Sequence, residues 1–81
     1  MTEQDLIDAG FERVDVSAKE SGCDNDFHYY DYIFCSTFSL ITPASDEIED
    51  EWYVEVFETP EIRIKGRTEL FDFIDTINKY L

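Results

Sequence analysis

The sequence predicts an α+β fold: an antiparallel β-meander of four to five strands with a short N-terminal helix and a C-terminal helix. Apolar and aromatic residues alternate through the middle of the chain, polar turn residues separate these segments, and helical apolar spacing marks both ends. The 81 residues, 43% of them hydrophobic, are enough for one domain over residues 1–81 with its own core. We expect both helices to pack on one face of the sheet, because each must bury its apolar side.

The two helices are predicted from their end signals and apolar spacing. Thr2 followed by Asp5 matches a capping box, and Gly10 is a typical residue just past a helix end, so a short helix is expected over residues 3–9. Thr68 can cap the final helix. Its apolar stripe is formed by Leu70, Phe73, Ile74, Ile77 and Leu81.

The strands are predicted from alternation and from their aromatic and β-branched residues. They are expected at residues 11–16, 27–35, 37–42, 51–58 and 62–65. The two long connections, residues 17–26 and 43–50, are rich in polar and turn-forming residues and are predicted to be loops. In the last two strands the inward side chains are expected to be Trp52, Val54, Val56, Ile62 and Ile64.

The last hairpin has two candidate registers. A two-residue loop would mix core and surface residues on each face, whereas a three-residue loop at 59–61 places Val56 opposite Ile64. The same register places Glu55 opposite Lys65, which gives a favourable cross-strand ion pair. We therefore predict the three-residue loop.

The chain is strongly acidic, and the charge is unevenly distributed. It has 20 acidic and 6 basic residues, for a net charge of −14, where a magnitude of about 2–8 is usual for a small domain. Residues 46–61 carry 8 acidic residues and no basic residue, and residues 1–26 carry 8 acidic and 2 basic residues. Three interpretations of the charge are open: it keeps the protein soluble, it adapts the protein to high salt, or it forms a binding surface for a basic partner.

The acidity argues against several partners. Contacts to nucleic-acid phosphates and to anionic membranes need clustered Lys and Arg, so direct binding to either is not expected. No apolar run approaches the roughly 20 residues of a membrane span. The acidic start of the chain lacks the basic and apolar regions of a signal peptide, so we expect a cytoplasmic protein.

The strongest candidate site is the acidic run near the middle of the chain. It comprises Asp46, Glu47, Glu49, Asp50 and Glu51, with Glu55 in the following strand. Carboxylates roughly 5–6 Å apart on a helix, or roughly 7 Å apart on a strand, approach the spacing of nucleic-acid phosphates. Such a surface can occupy the basic groove of a nuclease or another nucleic-acid-binding protein. The alternative is a solvated loop.

Metal binding and catalysis are not predicted. Neither the acidic run nor residues 24–26 has EF-hand spacing, so no metal and no cofactor is expected. His28 is interpreted as structural, although Cys23 in the preceding loop could approach it, while Cys35 lies on the opposite strand face. We interpret both cysteines as reduced thiols, with a Cys23–Cys35 disulfide as the alternative. The chain is therefore not expected to be an enzyme.

The aromatic residues suggest a second hypothesis. Tyr29, Tyr53 and Phe57 are candidates for an exposed aromatic sheet face, since Tyr is favoured at interfaces. Such a face would let the protein form a homodimer. The alternative is that these rings pack in the core.

Three segments carry a resemblance to a group of proteins. The N-terminal run MTEQDLIDAGFERVDVSAKESG, the central WYVEVFE and the closing helix resemble short bacteriophage and prophage proteins. The resemblance covers much of the chain but brings no catalytic residues. It implies a phage protein acting in the host cytoplasm, of a kind that includes anti-CRISPR and anti-restriction inhibitors. The resulting expectation is an acidic inhibitor of a basic host protein, with a self-associating accessory protein as the alternative.

Overall fold

The computed structural model describes residues 1–22 and 25–80 and has an α+β fold. Its elements are helix α1 (Glu3–Ala9), strand β1 (Glu12–Val16), helix α2 (Ala18–Ser21), strand β2 (Phe27–Cys35), strand β3 (Phe38–Ile41), a 3-10 turn (Ser45–Glu47), strand β4 (Val54–Val56), strand β5 (Thr59–Ile64) and helix α3 (Arg67–Tyr80). The five strands form one antiparallel sheet in the order β1-β2-β3-β4-β5. The predicted meander with a helix near each end is confirmed. The predictions for Cys23, Asp24 and Leu81 lie outside the described residues.

Helix α1 begins and ends at the predicted signals. The Thr2 hydroxyl accepts a hydrogen bond from the Asp5 N–H at 3.3 Å, and the Asp5 carboxylate accepts one from the Thr2 N–H at 3.0 Å. Gly10 follows in the left-handed region with φ 102°, and its N–H donates to the Ile7 carbonyl. A Cβ at Gly10 would lie 3.2 Å from Cε2 of Tyr32, so the glycine also lets α1 approach the sheet closely.

The core lies between helices α1 and α3 and one face of the sheet. Leu6 of α1 and Leu70 of α3 are fully buried, and they join Leu40 and Val54 of the sheet in a single apolar cluster. The rest of that cluster is Phe11, Tyr30, Ile64 and Ile74. Helices α1 and α3 therefore pack on the same face, as predicted, because their buried residues share one set of strand partners.

The opposite face is defined by the strand register. A continuous rung of paired residues crosses all five strands on that side: Glu12, Asp31, Ile41, Glu55 and Arg63. Val14 pairs with Tyr29 two residues along the same strands. Side chains alternate along a strand, so these residues lie on the side away from Tyr30 and Leu40 and away from the helices.

The predicted register of the β4–β5 hairpin is wrong. The turn is at Phe57–Glu58, Val56 pairs with Thr59, and a bulge then moves the pairing so that Glu55 lies opposite Arg63. Glu58 has φ 68°, a left-handed conformation that is uncommon for glutamate. Such turns usually have Gly or Asn at this position, and because neither is present here, the sequence does not indicate the turn. Residues 60–62 fall within the bulge, where Pro60 need not donate a ladder hydrogen bond.

Three further expectations are corrected. The predicted loop at 17–26 contains helix α2, a single turn in which the Gly22 N–H bonds to the Ala18 carbonyl at 3.0 Å. The predicted strand at 51–58 is regular only over Val54–Val56. Ile62 was expected to face inward, but it is 49% exposed because the bulge turns it out of the sheet alternation.

Candidate functional site

An aromatic cluster fixes the backbone at the end of the acidic run. The indole of Trp52 stacks on the His28 ring with centroids 5.7 Å apart. It also meets the Tyr30 ring edge to face at 5.4 Å. Because Tyr30 is buried in the core, Trp52 is anchored to β2 although it precedes β4. These contacts therefore hold the backbone beside Glu51, whose own side chain is exposed.

A polar contact joins helix α1 to the same cluster. Oε1 of Glu3 bonds to Nε2 of His28 and accepts a hydrogen bond from the Tyr30 hydroxyl at 3.1 Å. The hydrogen bond from His28 holds the pKa of Glu3 below its ordinary value, against an opposing effect of burial. Burial raises the pKa of Tyr30, and the hydrogen bond to the Glu3 carboxylate raises it further. The ionised Glu3 thus accepts from two side chains of β2.

The start of the acidic run is also tied to β2. The Tyr30 N–H donates to the Thr42 hydroxyl at 2.9 Å, and the Thr42 N–H donates to the Tyr30 carbonyl at 3.0 Å. The His28 N–H donates to the Ser45 hydroxyl at 3.0 Å. These bonds extend the sheet pairing beyond β3 and hold the 3-10 turn at Ser45–Glu47 against β2.

Most of the predicted acidic residues line one groove. This acidic groove has a volume of about 630 Å³ and is lined by Glu47, Glu49, Asp50, Glu51, Trp52, Tyr53, Arg63 and Lys65. Its four carboxylates are all exposed. Acidic side chains and two aromatic rings therefore line the same concave surface, with two basic residues of the last strand region on its wall.

Two predicted site residues lie apart from the groove lining. Asp46 is exposed in the 3-10 turn, one residue before the lining begins. Glu55 lies on β4 with its side chain 21% exposed, and its Oε1 is 3.4 Å from Nε of Arg63. Glu55 is thus already paired, whereas Asp46 extends the acidic surface.

The charges in the groove are largely uncompensated. Within residues 1–22 and 25–80, no ion pair involves Glu47, Glu49 or Asp50, and Glu51 lies 3.6 Å from the amino group of Met1. The Arg63 guanidinium lies over the Tyr53 ring, 5.3 Å from its centroid. Chemically, such a groove can accept cationic side chains through its carboxylates.

The two acidic segments of the sequence meet at the start of α1. The Trp52 N–H donates to the Met1 carbonyl at 3.2 Å, so the acidic run ends beside the first turn of a helix that carries Glu3 and Asp5. Asp5 itself pairs with Arg67, Oδ1 to Nε, at 3.0 Å. Sequence reasoning missed this junction and the basic wall of the groove, because both depend on contacts between distant segments.

The three residues of the predicted aromatic interface do not all lie on one surface. Tyr29 and Tyr53 are half-buried on the side of the sheet away from the helices, as the alternation around Tyr30 and Val54 requires. Phe57 lies in the β4–β5 turn and is 53% exposed. Tyr53 is therefore shared between this face and the acidic groove.

The candidates for metal binding and catalysis lie partly outside the described residues. Cys35 is a free, exposed thiol, and Cys23 lies outside the described residues, as does Asp24 of the 24–26 segment. Among residues 1–22 and 25–80, no group of three His, Cys, Asp or Glu is arranged to hold a metal ion. In the same part of the chain, no helix has the length and apolar character needed to cross a membrane.

No family model, curated protein sequence or solved structure matches this chain. Its function is therefore inferred from the geometry and charge of the acidic groove.

Proposed function

We propose that this protein is a non-enzymatic binding protein that engages a basic, nucleic-acid-binding protein through the acidic groove and the adjoining Asp46. The partner's Lys and Arg side chains bind the groove carboxylates in place of nucleic-acid phosphates. In this role the protein acts as an inhibitor, because it occupies the surface that its partner uses for DNA or RNA.

The observation that carries the proposal is the unpaired state of the groove carboxylates. Glu47, Glu49 and Asp50 are exposed, lie on one concave surface and have no ion-pair partner among residues 1–22 and 25–80. Grouping like charges costs stability through mutual repulsion. A basic partner removes that cost on binding, and the charge also steers the encounter between the two proteins.

The fixed base of the groove supports the same proposal. Trp52 is held by His28 and Tyr30, and Ser45 is bonded to β2, so the acidic run is anchored at both ends. A preorganised run loses less conformational entropy when it binds than a mobile loop does. The Trp52 and Tyr53 rings line the same surface and add apolar contact for the aliphatic stems of Arg and Lys.

The biological setting is also part of the proposal. The resemblance of the N-terminal run and of WYVEVFE to short phage proteins favours a phage-encoded inhibitor of a host defence or nucleic-acid-processing protein. The partner would then be a bacterial nuclease or a related basic protein in the host cytoplasm.

Two charge-matched variants test the proposal. The groove variant carries Glu47→Gln, Glu49→Gln and Asp50→Asn. The helix variant carries Glu69→Gln, Asp72→Asn and Asp75→Asn, three exposed acidic residues of α3. Each variant removes three negative charges, so the two differ in where the charge is lost and not in how much.

The experiment is capture of proteins from a bacterial lysate on immobilised wild type and on both variants, at low and at high salt. We expect wild type and the helix variant to retain a nucleic-acid-binding protein at low salt only. The groove variant should lose it. Equal loss on both variants would show that net charge alone governs retention, and retention of no nucleic-acid-binding protein by wild type would reject the proposal.

A further inference from the structure

The sheet face turned away from the helices carries a second, distinct surface. We call it the open sheet face, and it presents Glu12, Val14, Tyr29, Asp31, Ile33 and Ile41. The core residues of α1 and α3 all pack on the other side of the sheet. Ile33 is 68% exposed, and Val14, Tyr29 and Ile41 are only partly buried, so apolar side chains on this face are accessible to a partner.

An acidic pair lies within this apolar surface. Glu12 of β1 and Asp31 of β2 are directly opposite each other in the register. Like charges in that position are destabilising, because their Cβ atoms are only about 4.5–5.5 Å apart. Within residues 1–22 and 25–80, no ion pair reaches either carboxylate, whereas Glu55 on the same rung is paired with Arg63.

A small hollow opens beside the pair. It has a volume of about 270 Å³ and is lined by Glu12, Asp31 and Ile33 of the open sheet face, together with Gly10 and Tyr32, which meet on the helix side. This is below the range of about 300–1,000 Å³ of small-molecule pockets, and it suits a single side chain. Two adjacent carboxylates match the planar, multiply donating guanidinium of arginine better than a lysine ammonium.

We propose that the open sheet face docks an amphipathic helix of a partner protein, whose apolar stripe covers Val14, Tyr29, Ile33 and Ile41 and whose arginine binds between Glu12 and Asp31. A helix about 10–12 Å wide covers two to three strands spaced about 4.8 Å apart. That width is enough to span β1, β2 and β3. The six residues that define this surface are not part of the acidic groove lining, so separate variants test the two proposals and either can fail alone.

Charge complementarity identifies the occupant. A second copy of the chain would bring another Glu12–Asp31 pair and another net charge of −14 against the same surface. An arginine-bearing apolar helix instead neutralises the pair and covers the exposed Ile33. The open sheet face therefore favours a basic, amphipathic partner over self-association.

The test is selection from a display library of amphipathic helices in which one position beside the apolar stripe is fully randomised. We expect arginine to be enriched at that position on wild type. The enrichment should be lost on the double variant Glu12→Gln, Asp31→Asn and kept on the groove variant. Purified arginine-containing helices should bind wild type at least about tenfold more tightly than the same helices with citrulline, a neutral analogue of similar shape.

Folding of the double variant is checked by its melting temperature, which should be no lower than that of wild type because a repulsion is removed. Three results would overturn the proposal. The first is no enrichment on wild type. The second is enrichment that persists on the folded double variant. The third is a stable wild-type dimer, by sedimentation equilibrium, that Ile41→Asp dissociates.

Discussion

Glu3 of helix α1 and His28 of strand β2 form a direct side-chain pair that links the helix to the sheet. The two residues are 25 positions apart, and Oε1 of Glu3 bonds to Nε2 of His28 and also to the Tyr30 hydroxyl. The same histidine ring stacks on Trp52 at the end of the acidic groove. The pair thus couples the position of α1 to the residue that anchors the groove.

The first prediction concerns the pH dependence of this link. The pKa of Glu3 is lowered in the folded protein, chiefly by the hydrogen bond with His28. Its contribution to stability is therefore present above the unfolded pKa of about 4.3 and is lost as pH falls through the folded value. The Glu3 side chain is 42% exposed, so we expect Glu3→Gln to cost at most about 1 kcal/mol at pH 7.

Chemical denaturation of wild type and Glu3→Gln between pH 3 and pH 7 measures this contribution. The difference in unfolding free energy should shrink towards the acid end. Asp72→Asn, at an exposed position of α3, controls for the general loss of negative charge. A difference that stays constant over the whole pH range would contradict the assigned role of Glu3.

The second prediction concerns the turn between α1 and β1. Gly10 has φ 102°, and a Cβ there would lie 3.2 Å from Cε2 of Tyr32. Gly22 also has a positive φ, 73°, but a Cβ there would meet nothing within 4 Å. Gly22→Ala should therefore cost about 1 kcal/mol from backbone strain alone, and Gly10→Ala should cost more. Equal melting temperatures for the two variants would show that the contact with Tyr32 is unimportant.

The third prediction tests the register of the β4–β5 hairpin. Glu55 pairs with Arg63 at 3.4 Å, and not with Lys65. A double-mutant cycle on Glu55→Gln and Arg63→Met should give a coupling of about 0.2–1 kcal/mol, as for other partly exposed pairs. The same cycle on Glu55 and Lys65 should give a coupling near zero. The reverse order of the two couplings would support the register that the sequence suggested.

The fold was predictable where signals are local. The capping box of Thr2 and Asp5, the stop at Gly10 and the full length of β2 all follow from neighbouring residues. The β4–β5 hairpin was not predictable in the same way. Its turn needs a left-handed Glu58, and its bulge places Pro60 outside the regular ladder, so alternation gave the wrong partners.

The candidate site was predictable in composition but not in arrangement. The run of acidic residues before Trp52 predicts an exposed, charged segment, and Glu47 to Glu51 are indeed at the surface, apart from Ile48. The stacking of Trp52 on His28 joins two distant segments, and the approach of Arg63 to Tyr53 joins β5 to the residue before β4, two neighbouring strands whose register the sequence did not predict. Neither contact can be recognised from the alternation of apolar and polar residues, because each depends on how the strands pair.

The fourth prediction concerns the exposed thiol. Hydrogen bonds from the Thr37 hydroxyl and N–H lower the pKa of Cys35, whose Sγ lies 3.5 Å from the hydroxyl oxygen. In a Cys23→Ser background, Thr37→Val should raise that pKa and slow alkylation by iodoacetamide at pH 7. Ser36→Ala is the control and should leave the rate unchanged. The pH–rate profile measures both variants, and an identical midpoint with and without the Thr37 hydroxyl would contradict the assignment.

The fifth prediction tests the proposed function and concerns competition for the captured basic partner. The partner is titrated with this protein in the presence and absence of duplex DNA, over a range of salt concentrations. We predict mutually exclusive binding and an affinity that falls with salt. The affinity of the groove variant for the partner should depend less on salt than that of wild type, whereas the affinity of the helix variant should depend on salt as strongly as that of wild type. A ternary complex containing DNA, partner and this protein, or the same salt dependence for both variants, would contradict the role of the acidic groove.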